Sequence, residues 1–150
     1  MCGVAGIVHW GTLSDGPQVV RKMNARLHHR GPDDTGYWNN EKVSFAFSSL
    51  SIVDLDHGHQ PMVSDEAKIV LVYNGEIYNH VELREELQRR GHRFQTSHSD
   101  TEVLIHGYRE WGEGLLSRLN GMFAFVLYDL CRDEVFMARD RYGIKPLYLH

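Results

Sequence analysis

A chain of 150 residues, 42% apolar and 24% charged, has the composition of one soluble globular domain and can bury about two-thirds of its unfolded surface. Its net charge of −4, with both signs scattered along the sequence, excludes the basic stripe of a nucleic-acid binder, and no apolar run is long enough to cross a bilayer. No charged and apolar leader opens the chain, and two cysteines do not make a disulfide framework, so a reducing cytoplasm is the expected compartment.

In chain order, residues 3–10 read as a strand of small residues and 11–16 as a turn. Val19, Val20, Met23 and Leu27 recur on one helical face, which predicts a helix from Pro17 to about Leu27 with the proline in its first turn. Strand-like runs follow at 43–47, 50–55 and 69–73. A second helix is signalled after Asn79, which can cap it; Glu82 lies three residues on, Leu83 and Leu87 share a face, and Gly91 stops it. Ser99 or Asp100 opens a third, with Val103, Leu104, Tyr108 and Trp111 turned inward and Gly112 beyond its end. Residues 122–128 and 134–139 read as a hairpin around 129–133, and 146–149 as a short last strand. There is no internal repeat, low-complexity segment or linker. Many strands, often consecutive, with two or three helices argue for an α+β layered fold over a doubly wound one.

Four segments could carry chemistry. Cys2 follows the initiator methionine, and a small residue there favours removal of Met1, leaving Cys2 with a free α-amine. A thiol near pKa 8.5 and an amine near 8 would then put nucleophile and base on one residue. Alone, Cys2 reads first as a small buried residue at a chain end. Asn74-Gly75 lies between two apolar runs and reads first as a type I′ hairpin turn. The same tight turn could aim the Asn amide and the Gly N–H at an oxyanion. The run from His29 to Asp34 reads as a polar turn in which Arg30 pairs with a carboxylate. Residues 97–102 read as a helix cap whose carboxylate could instead hold an ammonium group. No metal site is expected, because neither His28-His29 nor His57-Gly58-His59 has a cysteine or carboxylate partner at ligand spacing.

Taken in order, the segments are more specific than any one of them. Cys2-Gly3, Arg30-Gly31-Pro32-Asp33, Leu50-Ser51-Ile52-Val53-Asp54, Gln60-Pro61-Met62 and Asn74-Gly75-Glu76-Ile77-Tyr78-Asn79 form the first half of the set. Ser99-Asp100-Thr101-Glu102, Gly121-Met122-Phe123-Ala124-Phe125, Ala138-Arg139-Asp140 and Gly143-Ile144-Lys145-Pro146-Leu147-Tyr148 complete it. The set resembles the class II glutamine amidotransferases, in the branch of the glutamine-hydrolysing asparagine synthetases, over essentially the whole chain. The resemblance implies a four-layer αββα N-terminal-nucleophile-hydrolase fold with two stacked, mainly antiparallel sheets, and a single glutaminase domain over 1–150. It implies that Cys2 attacks the glutamine side-chain amide, that Asn74 and Gly75 stabilise the oxyanion, and that Asp100 binds the substrate's α-ammonium. Ile52, Val53 and Glu76 would line the pocket, and Arg30 would be structural. The partners implied are glutamine and a C-terminal synthetase domain or partner chain, with a homodimer as one possible assembly. ATP and magnesium are expected only for that synthetase domain.

Two departures stand against the family pattern. An arginine that normally holds the glutamine α-carboxylate is replaced by Ser49, and the chain ends at His150 without a pyrophosphate-binding Ser-Gly-Gly run. The expectation is therefore a fragment, a truncated product or half of a split system. Three functions compete: a working glutaminase feeding a synthetase, a catalytically impaired domain kept for a structural or partner-binding role, and an amidohydrolase whose substrate lacks an α-carboxylate. Ser49 favours the second; Cys2, Asn74, Gly75 and Asp100 favour the first.

Overall fold

A computed structural model describes residues 2–9, 15–49, 59–66 and 68–150. The chain forms two compact units, one of Met1–Pro61 with Val72–Asn74 and one of Met62–Leu71 with Gly75–His150.

In the first unit, β1 (Gly3–Val8), β2 (Asp34–Asn39) and β3 (Val43–Ser49) make an antiparallel sheet in the order β1-β3-β2. β3 is central, and its first six positions are all buried, so both of its faces are covered. Helix α1 (Gly16–Arg26), one residue earlier than its apolar spacing predicts, packs on β1 and β3 with Pro17 in its first turn. Val20 meets Ala5 and Ala46 in a small apolar cluster that Ile7, Leu27 and Tyr37 close. Beside it, buried Asn24 donates to the Tyr37 hydroxyl at 3.2 Å and accepts from the Ser48 hydroxyl at 2.9 Å. Both hydrogen bonds bind α1 to the sheet and leave no cost from the buried amide.

A second sheet has the order β4-β5-β6-β7, with β4 (Met62–Ser64), β5 (Ile69–Ile77), β6 (Gly121–Asp129) and β7 (Glu134–Arg139); all of it but Val72–Asn74 of β5 belongs to the second unit. β4 pairs antiparallel with β5, and β6 with β7. Helices α2 (His80–Arg89) and α3 (Asp100–Trp111) pack together. Ile69, Leu71, Ile77, Leu87, Leu104, Ile105, Leu115, Phe125 and Leu127 are fully buried and form its core. Gly91, at φ 95°, and Gly112, at φ 57°, terminate the two helices as predicted, because their lack of a Cβ allows the left-handed region. The β6–β7 hairpin also falls where expected; its turn is set by the Asp129 carboxylate, which accepts the N–H groups of Cys131 at 2.9 Å and Arg132 at 3.0 Å.

The α+β reading holds, with sheets and helices in both units, but several elements differ from expectation. Asn74-Gly75 is no hairpin or tight turn: β5 runs straight through it to Ile77. Residues 146–149 form no strand. β2, β4 and the 3₁₀ turns at His28–Arg30 and Gly112–Ser117 have no clear periodicity and were not foreseen. Asn79 occupies the N-cap position but does not cap with its side chain, which bonds Arg118 O and Asn120 N instead. The predicted strand at 50–55 and most of the turn at 11–16 lie outside the described residues.

Candidate active site

Strand register places Cys2. Gly3 lies opposite Ser48, so Cys2, one step further, comes to the end of the sheet at which Ser49 closes β3. Its thiol is half-buried and in no disulfide. The chain beside it is crowded: a Cβ at Gly3 would stand 3.1 Å from the Leu27 Cβ and 3.4 Å from the Arg30 Cβ. Gly31 carries the next close approach, since a Cβ there would overlap the Ser48 carbonyl. The Asp33 N–H then donates to Ser49 O at 3.0 Å. The segment from Arg30 to Asp33 is thus the support on which the Cys2 end of the sheet rests. The structure brings Cys2, Arg30 and Ser49 together there.

Asn74 sits on β5, in the same unit as Cys2, and is 8% exposed. Tyr73, just before it, gives its N–H to the Gln60 side chain.

In the second unit the chain that follows is held from three sides. The Asp100 carboxylate, at the start of α3, accepts the Ile77 N–H at 3.0 Å. Tyr78 N–H donates to Asn120 O at 2.8 Å. Gly121 lies so close that a Cβ would overlap the Glu76 carbonyl oxygen. Asp100 and Glu76 are therefore neighbours through Ile77, the last residue of β5.

The approach to Asp100 is clamped by a buried carboxylate and a guanidinium. Glu102 accepts the N–H groups of Gln95 at 2.6 Å and Thr96 at 2.8 Å, the Thr96 hydroxyl at 2.6 Å, and faces His106 Nε2 at 3.4 Å. Burial pushes its pKa up, yet the bonds from His106, Thr96 and Gln95 outweigh that and hold it at about 2. Arg84 donates to Thr96 O at 2.5 Å and Ser99 O at 3.1 Å while lying over the Phe94 ring. Asp140 organises the last turn in the same way, accepting N–H groups from Phe123, Tyr142, Ile144 and Lys145. Those four bonds outweigh burial and lower its pKa.

Ile52 and Val53 lie outside the described residues. Among the described residues no cluster could hold a metal ion, and no helix is long and apolar enough to cross a membrane. Sequence reasoning named Cys2, Ser49, Asn74, Gly75, Glu76 and Asp100 but gave no role to Gln60, Arg84, Glu102 or Asp140. Three of these four stand inside the quoted runs, which was the available signal; Arg84 had none.

Comparison with known proteins places this arrangement. The model of the glutamine amidotransferase domain family matches residues 1–150. The chain is 44% identical to asparagine synthetase [glutamine-hydrolyzing] 1 of Bacillus subtilis (strain 168), covering 99% of this chain and 24% of that protein. It is 42% identical to the asparagine synthetase [glutamine-hydrolyzing] of Brassica oleracea, covering 99% of this chain and 25% of that one. The chain thus spans about a quarter of the length of these curated relatives. Among solved structures, the glutamine phosphoribosylpyrophosphate amidotransferase of B. subtilis, complexed with ADP and GMP, superposes with a TM-score of 0.70 at 23% identity, covering 94% of this chain and 38% of that one. That likeness shows a shared fold.

Proposed function

The chain belongs to the glutamine amidotransferase domain family, and from that premise we propose that it hydrolyses the side-chain amide of glutamine through a thioester on Cys2 and supplies the ammonia to an ATP-dependent synthetase domain or partner. Two observations in one unit support the reading. A half-buried, unlinked thiol stands at the sheet end, and Asn74, 8% exposed, lies on β5 in the same unit.

In this mechanism the α-amine of Cys2, freed by loss of Met1, takes the thiol proton while sulfur attacks the amide carbon. Negative charge gathers on the amide oxygen, where the Asn74 side-chain N–H and the Gly75 backbone N–H receive it. Glycine suits this place because no side chain shields its N–H. The protonated amine gives its proton to the leaving nitrogen, ammonia departs and a glutamyl thioester remains. Water, deprotonated by the same amine, cleaves the thioester and returns glutamate and the free thiol.

Asp100 is the proposed partner of the substrate's α-ammonium, with Glu76, Ile52 and Val53 lining the pocket. Arg30 has a supporting role beside Gly3. The hydrolysis uses only these side chains, backbone N–H groups and water; ATP and magnesium belong to the partner's chemistry.

The test is release of glutamate and ammonia from glutamine, against a panel of amides lacking the α-amine or the α-carboxylate. A glutaminase prefers glutamine over the amides without an α-amine. Equal rates across the panel would favour a general amidohydrolase, and no release by chains lacking Met1 would favour a silent domain.

A further inference from the structure

Met62 lies opposite Leu71, and two more residues of the same antiparallel ladder would set Gln60 opposite Tyr73. The ladder does not continue in that form. Pro61 comes next and has no N–H to offer a neighbouring strand. The Gln60 carbonyl is instead turned onto β2, so close to Gly36 that any Cβ there would overlap its oxygen. What reaches β5 is the side chain: the Gln60 amide oxygen accepts the Tyr73 N–H at 2.5 Å. The side chain fills the ladder position from which the backbone carbonyl has been withdrawn.

We infer that Gln60 is a positioning residue for the oxyanion donors, its side-chain carbonyl fixing the Tyr73 backbone and so the line of Asn74 and Gly75 that follow it. The inference rests on the proposed glutaminase reading. The chemistry demands such a brace, because donors aimed at developing charge work only if they need no reorganisation at the moment of reaction. The Gln60 oxygen holds the Tyr73 N–H directly before the residue whose amide must be aimed. Gly36 is the counterpart on β2: its missing side chain leaves the space in which the Gln60 backbone sits.

The experiment compares the parent, Gln60→Met and Gln60→Glu by steady-state glutaminase kinetics. Rates are taken per reactive Cys2, counted with a glutamine analogue that carries a diazoketone in place of its side-chain amide. Counting sites removes the effect of any misfolded fraction. Methionine keeps the length without a strong acceptor, and glutamate keeps the acceptor. Gln60→Met should lower kcat per site by about 10- to 100-fold with KM within about threefold, because donor geometry acts on the tetrahedral state and not on bound glutamine. Gln60→Glu should recover to within about tenfold of the parent. An unchanged kcat per site in Gln60→Met, or a Gln60→Glu no better than Gln60→Met, overturns the inference alone. A parent that forms no glutamate overturns the glutaminase reading and this inference with it.

Discussion

Ser49 closes β3 at the end of the sheet where Cys2 emerges, the place at which the resemblance drawn from the sequence leads one to expect an arginine. A hydroxyl there supplies neither the charge nor the fork that pairs with a carboxylate. Ser49→Arg should therefore raise kcat/KM for glutamine by roughly 10- to 100-fold, mostly through KM, as a charged hydrogen bond worth about 1.5–3 kcal/mol would do. A kcat/KM that stays level or falls would show that the α-carboxylate is held elsewhere. The glycines give a second test at this scale. Gly31→Ala forces a methyl into the Ser48 carbonyl and should cost about 1–3 kcal/mol by denaturant unfolding. Gly114→Ala, with Trp111 Cβ at 3.9 Å as its nearest neighbour, should cost far less. Equal losses would mean that the turn moves freely off β3. Cys2, Asn74 and Asp100 could be named from the sequence as candidates because their order along the chain is distinctive. Gln60 was not, since its side chain takes the role of backbone 13 residues away and no local pattern records that.

The elements that were misread share a cause, which is tertiary context. Asn-Gly favours a type I′ turn only where the backbone is free to take positive φ at both residues. Here β5 lies between β4 and β6, six of its nine residues are buried in succession, and Gly75 is not among the positive-φ glycines. Strand pairing and burial outweighed the local preference. β2 escaped notice because its sequence, Asp-Thr-Gly-Tyr-Trp-Asn, shows no apolar alternation; it is a strand because β3 offers a ladder along its whole length. α2 and α3, whose apolar spacing and terminal glycines agree with their final state, were readable almost to the residue. The start of α3 also makes a prediction about acid. Glu102 is held at about 2 against an ordinary 4.5, so it binds a proton less readily folded than unfolded. Its contribution to stability is complete above about pH 4.5 and is lost as pH falls towards 2. Glu102→Gln should lower stability at neutral pH and flatten the acid limb of a pH series of unfolding midpoints. An acid limb as steep as the parent's would assign that loss to other groups.

At the scale of the whole molecule, the chain spans about a quarter of its curated relatives, and the proposed reaction releases a small neutral product for the proposed partner to use. In the proposed reaction ammonia formation needs only the chain with its α-amine exposed, so preparations that keep Met1 should be inactive in proportion to the unprocessed fraction, as mass spectrometry set against specific activity would read. Activity independent of that fraction would assign the base to another group. The central claim is the nucleophile itself. Mass spectrometry after incubation with the diazoketone analogue of glutamine should find one adduct per processed chain, on Cys2, with ammonia release lost in step and the exposed thiol of Cys131 unmodified. A label on Cys131, or ammonia release that continues undiminished once Cys2 is fully labelled, would contradict the account.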